Sequence, residues 1–340
     1  MKFDKWTPRL PDPSKPKLKT SAMIASLGAE GLETVSAPFG HALNEVAAKN
    51  DKVVGMTADL GKYTDLHIFA QKNPDRYFQM GMAEQNLMMS AAGMAREGFQ
   101  VWATTYAVFA SRRAYDFICL AIAEEDLDVK IVCALPGLTT GYGPSHQASE
   151  DIAMFRGCPN LTIIDPCDAT DVMQATHAIA EHRGPVYMRL PRGKVPNVLG
   201  EYDYEFKLGK AQVVRGGNDV LFISTGLMTM RTLDAAKELA KDNVDCAVLH
   251  VPTIKPLDTD TIIKEAQQSG RMVVVAENHT VNGGLGEAVA RTLLENDLAP
   301  KFRHIGLPDE FLGAGALPTL HDQYGLSTDK VCQQVKGWLG

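Results

Sequence analysis

The chain has 340 residues, of which 45% are hydrophobic and 22% charged, enough apolar material for two well-buried domains of ordinary globular type. A formal charge of −7 with no long basic block argues against nucleic acid or an anionic membrane as the main partner and points to small-molecule chemistry. Cys119, Cys133, Cys158, Cys167, Cys246 and Cys332 form no CxxC pair, so neither a zinc site nor a disulfide framework is implied.

Residues 1–33 carry Pro8, Pro11, Pro13 and Pro16 among Lys and Arg, a composition that cannot pack a core and reads as an N-terminal arm. No leader pattern and no apolar run of spanning length is evident, so a cytoplasmic location is expected. From residue 34 helical and strand patterns alternate: helix 40–49, strand 53–56, helix 87–96, strand 101–104, helix 110–123, strand 129–134, helix 149–155, strand 161–164, helix 169–182 and strand 186–189. Short β-branched runs between helices imply parallel strands buried on both faces. A segment rich in Pro, Gly and polar residues over 191–204 marks a boundary. Beyond it strands at 219–224, 245–250 and 271–276 alternate with helices at 228–241, 259–269 and 286–295. The expected fold class is α/β, with two doubly wound domains over 34–195 and 208–340, the first built on a mainly parallel sheet.

Ligands of such sheets sit beyond the carboxyl ends of the strands, which directs attention to the loops after Met56, Thr104 and Ala134. The run Gly81-Met82-Ala83-Glu84-Gln85-Asn86 sets one carboxylate between a strand end and a Met-rich helix. An acid buried on an apolar scaffold needs a partner that wants a proton or a hydrogen bond, although a helix N-cap acid stabilised by the dipole is an equal alternative. Tyr106 and Phe109 lie three apart where a helix begins, so their rings can stack a flat ligand or simply fill the core. His146 follows a Gly-Pro turn in Gly141-Tyr142-Gly143-Pro144-Ser145-His146-Gln147, placing an imidazole at a loop tip where it can exchange protons or merely meet solvent. Arg189 and Arg192 flank Pro191 at a strand's end, where a guanidinium can fork onto phosphate or face a domain boundary. Gly283-Gly284-Leu285-Gly286 mimics a phosphate-cradling loop but lacks the lysine of a P-loop, and reads as a tight turn.

Taken together, the GMAEQN run, the Thr57-Ala58-Asp59-Leu60-Gly61 loop, the aromatic pair, the GPSHQ loop with Ser149-Glu150-Asp151 behind it, and Ile254-Lys255-Pro256-Leu257-Asp258 resemble the C-terminal half of transketolase. The likeness is to split transketolases, whose second polypeptide carries the pyrimidine-binding and C-terminal domains. It implies a thiamine-diphosphate-dependent transfer of a two-carbon ketol unit from a ketose to an aldehyde acceptor. Glu84 then corresponds to the glutamate that bonds the aminopyrimidine ring nitrogen, and it forms the expected catalytic pair with His146, which meets the donor's ketol oxygens. Glu84, Tyr106, Phe109, Asp59 and Arg112 are the expected cofactor-binding set, and His146, Tyr142 and Arg189 the expected substrate-binding set.

The Gly-Asp-Gly pattern by which the family holds diphosphate through a divalent metal is absent from this chain. The resemblance therefore implies a partner, an N-terminal transketolase subunit carrying the diphosphate and Mg2+ site, in an α2β2 assembly. Tyr142 stands where the family has an acidic residue, and Ala134 and Ser36 stand where it has a histidine and an arginine for phosphate. These departures imply an unusual sugar substrate such as apulose 4-phosphate. A β subunit of a 2-oxo acid dehydrogenase E1 and a non-catalytic scaffold subunit are the competing readings; the GPSHQ loop opposes the former, and retention of Glu84, Phe109 and His146 the latter.

Overall fold

The computed structural model describes residues 33–268 and 270–340, so the arm expected over 1–33 lies, but for its last residue, outside the described residues. The first half contains β1 (Thr34–Ser36), α1 (Pro38–Lys49), β2 (Val53–Thr57), α2 (His67–Lys72), β3 (Tyr77–Gln79), α3 (Glu84–Arg96), β4 (Gln100–Tyr106), α4 (Tyr115–Ile118), β5 (Val129–Ala134), α5 (Asp151–Arg156), β6 (Thr162–Ile164), α6 (Ala169–Glu181), β7 (Val186–Leu190) and β8 (Lys194–Pro196). The second contains β9 (Gln212–Arg215), β10 (Val220–Ser224), α7 (Leu227–Ala240), β11 (Cys246–His250), β12 (Thr253–Lys255), α8 (Thr259–Ala266), β13 (Met272–Thr280), α9 (Leu285–Glu295), β14 (Phe302–Leu307), α10 (Leu317–Gln323) and α11 (Thr328–Leu339).

Two α/β sheets result. The first runs β12-β6-β7-β5-β4-β2-β3 and the second β14-β13-β10-β11-β9. Strands β2, β4, β5 and β7 are buried along their whole length and pair in parallel, as continuous apolar runs covered by helices on both faces require. The halves are not independent: β12 leaves the second half and pairs antiparallel with β6 at the edge of the first sheet. The boundary segment is also partly structured, since β8 pairs antiparallel with β1.

The helix expected over 110–123 is broken into three. A π-helical turn over Phe109–Arg113 precedes α4, and a second over Cys119–Ala123 follows it. The apolar spacing is compatible with either winding, and such π turns accumulate at functional sites.

The loop 283–286 is indeed a turn, and its amides already have an anion. The buried Glu277 carboxylate accepts from the N–H groups of Leu285 (2.7 Å) and Gly286 (2.8 Å) and from His304 Nε2 (2.8 Å). Burial pushes this carboxyl's pKa up, but the His304 bond, the nearby imidazoles and the Gly286 amide outweigh it and hold the pKa below the ordinary value. A Cβ at Gly284 would stand 2.1 Å from the carboxylate, so glycine here serves close approach.

Candidate active site

The loops after β2, β4 and β5 leave the same end of neighbouring parallel strands, in the register Thr57 to Thr104 and Tyr106 to Ala134. Gln79, at the end of β3, ties two of the site's segments together. Its Oε1 accepts from Asp59 N (2.7 Å) and Gly81 N (3.0 Å), and its Nε2 donates to Asp59 Oδ1 (3.0 Å). This fixes Asp59 in a left-handed conformation (φ 59°) and connects it to the GMAEQN run, which turns at Gly81 (φ 72°). One oxygen of the exposed Asp59 carboxylate is thus taken by Gln79.

Glu84 is the first residue of α3 and only 1% exposed. Ala83 occupies the N-cap, with no side-chain cap, so Glu84 is not a capping acid. Its Oε2 instead accepts a 2.7 Å hydrogen bond from Arg113 Nη1, whose side chain is 46% exposed. The same guanidinium lies 4.7 Å from the centre of the Phe109 ring. The π turn makes this possible, because residues four apart in such a turn stand nearly one above the other.

Tyr106 and Phe109 do come together, with ring centres 5.7 Å apart. His146 meets both edge-on, at 6.1 and 5.5 Å, and Tyr142 also meets His146 edge-on, at 5.5 Å. Burial raises the pKa of the Tyr106 phenol, while the Arg192 guanidinium pulls against that shift. His146 Nδ1 pairs with Ser145 Oγ (2.9 Å), leaving Nε2 for a ligand.

Two of the expected arginines make other contacts. Arg112 does not face the acid: it pairs with Glu150 and donates to the carbonyl of Pro144 (2.8 Å), bracing the His146 loop, and Arg113 takes the place beside Glu84. Arg189, expected to bind substrate, is 1% exposed and fully engaged. Its Nε and Nη2 fork onto Asp151 (2.9 and 3.2 Å), Nη1 reaches Asp165 (2.9 Å), and Nη2 also donates to the carbonyl of Asn278 (3.0 Å). Four of its five N–H donors are taken and the group is closed off from solvent, so a phosphate has no access to it; the residue welds the first sheet to the second half.

Arg192 is the better candidate for an anion. It is half-buried, lies 5.7 Å from the Tyr63 ring centre, acts electrostatically on Tyr106 and on the Asp65 carboxylate, and its buried Nε has no hydrogen-bond partner among the described residues. Its backbone is set by the next residue, Gly193, whose N–H donates to both oxygens of Asp65 (3.2 and 3.0 Å). Sequence reasoning placed Arg189 and Arg192 together; alternation along β7 alone could not reveal that the first points at buried acids.

The second half builds the loop that carries Tyr142 and His146. Leu138 N donates to Asn278 Oδ1 (2.9 Å), His321 Nε2 pairs with the carbonyl of Leu138 (2.6 Å), Gly315 N donates to the carbonyl of Gly141 (3.0 Å), and Gln147 Nε2 donates to the carbonyls of Thr140 and Gly313 (both 3.1 Å). A Cβ at Gly141 would stand 1.9 Å from the Gly315 carbonyl oxygen. Nothing in the sequence signals these contacts, which, apart from that between Gln147 and Thr140, join segments more than a hundred residues apart.

The described residues gather no group of three or more His, Cys, Asp or Glu side chains able to hold a metal, and they contain no helix long and apolar enough to cross a membrane. An aminopyrimidine fits the residues present: a buried carboxylate and an aromatic face are already engaged by one planar cation, in the two contacts such a ring would make.

The transketolase pyrimidine binding domain matches residues 33–198, and the transketolase C-terminal domain matches residues 209–331. A transketolase family protein of Sinorhizobium fredii is 68% identical over 99% of this chain and 98% of its own length. A 6-deoxy-6-sulfo-D-fructose transketolase subunit of a Clostridium species is 38% identical over 85% of this chain and 89% of its own. Among solved structures, a split-gene transketolase described as an inactive β4 tetramer superposes with a TM-score of 0.82 at 38% identity, over 90% of this chain and 98% of that one. The chain belongs to the transketolase family and comprises its pyrimidine-binding and C-terminal domains.

Proposed function

We propose that this chain is the pyrimidine-binding subunit of a two-chain, thiamine-diphosphate-dependent transketolase that moves a two-carbon ketol unit between sugars. The observation that carries the reading is Glu84: a carboxylate 1% exposed at the start of α3, facing an aromatic ring through a planar cation rather than capping its helix. When bound, thiamine diphosphate supplies a carbon nucleophile whose proton is removed by the cofactor's own aminopyrimidine. Glu84 holds a hydrogen bond at the pyrimidine ring nitrogen, Phe109 offers the flat face, and Tyr106 closes the pocket behind it. His146, with Nδ1 tied to Ser145, presents Nε2 to the donor's ketol oxygens and moves protons there.

The diphosphate and Mg2+ belong, in this reading, to an N-terminal partner subunit in an α2β2 assembly in the cytoplasm. The β4 tetramer of the split relative, described as inactive, supports that dependence. Arg192 at the site's mouth suits a sugar bearing a terminal anion, either a phosphate or the sulfonate handled by the Clostridium relative. Tyr142, where an acidic residue was expected, favours an atypical donor.

The test is reconstitution with the N-terminal subunit, followed by a donor panel of ketose phosphates, ketose sulfonates and 2-oxo acids with an aldehyde acceptor. Ketol transfer from an anionic ketose, weakened about 10-fold or more in KM by Arg192→Ala, is expected. Turnover of 2-oxo acids alone would assign the chain to the dehydrogenase class instead.

A further inference from the structure

Resting on the cofactor reading above, we infer that Arg113 is a removable plug that occupies the aminopyrimidine site and must swing out before the cofactor can enter. Its guanidinium makes both contacts that the site offers a flat nitrogen-rich ring: a hydrogen bond to Glu84 Oε2 at 2.7 Å and a stack over Phe109 at 4.7 Å. A guanidinium is planar, cationic and forked, so it satisfies a carboxylate and an aromatic face together, as a protonated aminopyrimidine does. The two cannot occupy the same carboxylate and ring face at once.

Arg113 is also built to leave. Glu84 is its sole hydrogen-bonding partner among the described residues, and 46% of its side chain is accessible. Its neighbour Arg112 is held by Glu150 and by the Pro144 carbonyl, so the π turn itself is anchored while one arginine remains free to rotate into solvent. In the empty site the plug gives the buried Glu84 carboxylate a counter-charge, which an unpartnered carboxylate at 1% exposure would lack. The consequence is an affinity reduced by the fraction of molecules in which the plug is withdrawn.

The test is titration of the full chain reconstituted with the N-terminal subunit and Mg2+, with the isolated 4-amino-5-hydroxymethyl-2-methylpyrimidine and, separately, with thiamine diphosphate, by calorimetry and ligand-observed NMR. Arg113→Met removes the fork and charge while keeping length, and is expected to tighten binding of both probes about 10-fold. Arg113→Lys keeps a cation for Glu84 but cannot lie flat on Phe109; it protects against misfolding of the methionine variant and is expected to give a smaller gain in the same direction. Glu84→Ala is expected to abolish binding in every background. Equal or weaker binding by both Arg113 variants, with Glu84→Ala still abolishing binding to the native chain, overturns the plug and leaves the cofactor reading intact. Absence of any Glu84-dependent binding in the reconstituted pair, native and variant, refutes the cofactor reading, and the plug with it.

Discussion

Replacing Arg189 by methionine separates a structural weld from a substrate ligand. The side chain is 1% exposed and its three nitrogens bond Asp151, Asp165 and the Asn278 carbonyl, while Tyr187 OH adds a 2.6 Å bond to Asp151. Methionine fills the volume but leaves two buried carboxylates without their cation. Breaking a buried ion pair from one side costs about 3–5 kcal/mol, and at about 2 °C per kcal/mol the melting temperature should fall by roughly 6–10 °C at pH 8. The loss should shrink at acid pH. Burial already raises the Asp165 pKa against the pull of Arg189; without the guanidinium it rises further, and a protonated, neutral Asp165 no longer needs the cation. Thermal and urea unfolding at pH 8 and pH 5.5 measure both effects. A variant within about 1 kcal/mol of native stability, yet impaired in binding an anionic sugar, would refute the assignment of Arg189 to the scaffold.

Three further outcomes follow from the same contacts. Burial raises the Asp65 pKa from 3.8 to about 6, so this acid favours the folded state below about pH 4 and that contribution is lost as pH rises through 6; Asp65→Asn, which can still accept from Gly193, should be more stable than the native chain by up to about 3 kcal/mol at pH 8 and lack that slope in urea unfolding. Gly141→Ala must displace the loop from the Gly315 carbonyl, and should lower ketol transfer by the reconstituted pair at least ~10-fold while thiamine diphosphate affinity, read by titration, is unchanged. Glu277→Gln loses one acceptor for the amides of Leu285 and Gly286 and should cost about 1.5–3 kcal/mol near neutral pH, less as pH falls through the depressed native pKa, where the native acid itself protonates.

Most of the scaffold was legible because it obeys simple periods. Short, largely apolar runs announced β2, β5 and β7, and the apolar stripes of α3, α6 and α9 stood out from their surroundings. Of the short edge elements, β3 was expected only as a strand end before Gly81 and β12 was missed: three residues carry no period, and β12 pairs with a strand some ninety residues earlier. Glu84, Phe109 and His146, each after a strand end, and Tyr106, the last residue of β4, could be singled out because α/β folds gather loops at that end, and the structure does bring Tyr106, Phe109 and His146 together. The arginines were not legible in this way. Arg112 and Arg113 differ by one residue, and only the π winding decides which meets Glu84. Arg189 and Arg192 differ by which of them meets Asp151 and Asp165, a fact of tertiary packing.

The central claim is that Glu84 is the proton partner of an aminopyrimidine whose diphosphate end is held by another chain. It is tested most directly by exchange of the thiazolium C2 proton of thiamine diphosphate in deuterated buffer with Mg2+, followed by quenched-flow NMR for this chain alone, for the reconstituted pair, and for the pair carrying Glu84→Ala. The account predicts no acceleration by the chain alone, rapid exchange in the pair, and a loss of about 10²–10⁴-fold in the variant. Acceleration by the isolated chain, or exchange in the Glu84→Ala pair at the native rate, would contradict it.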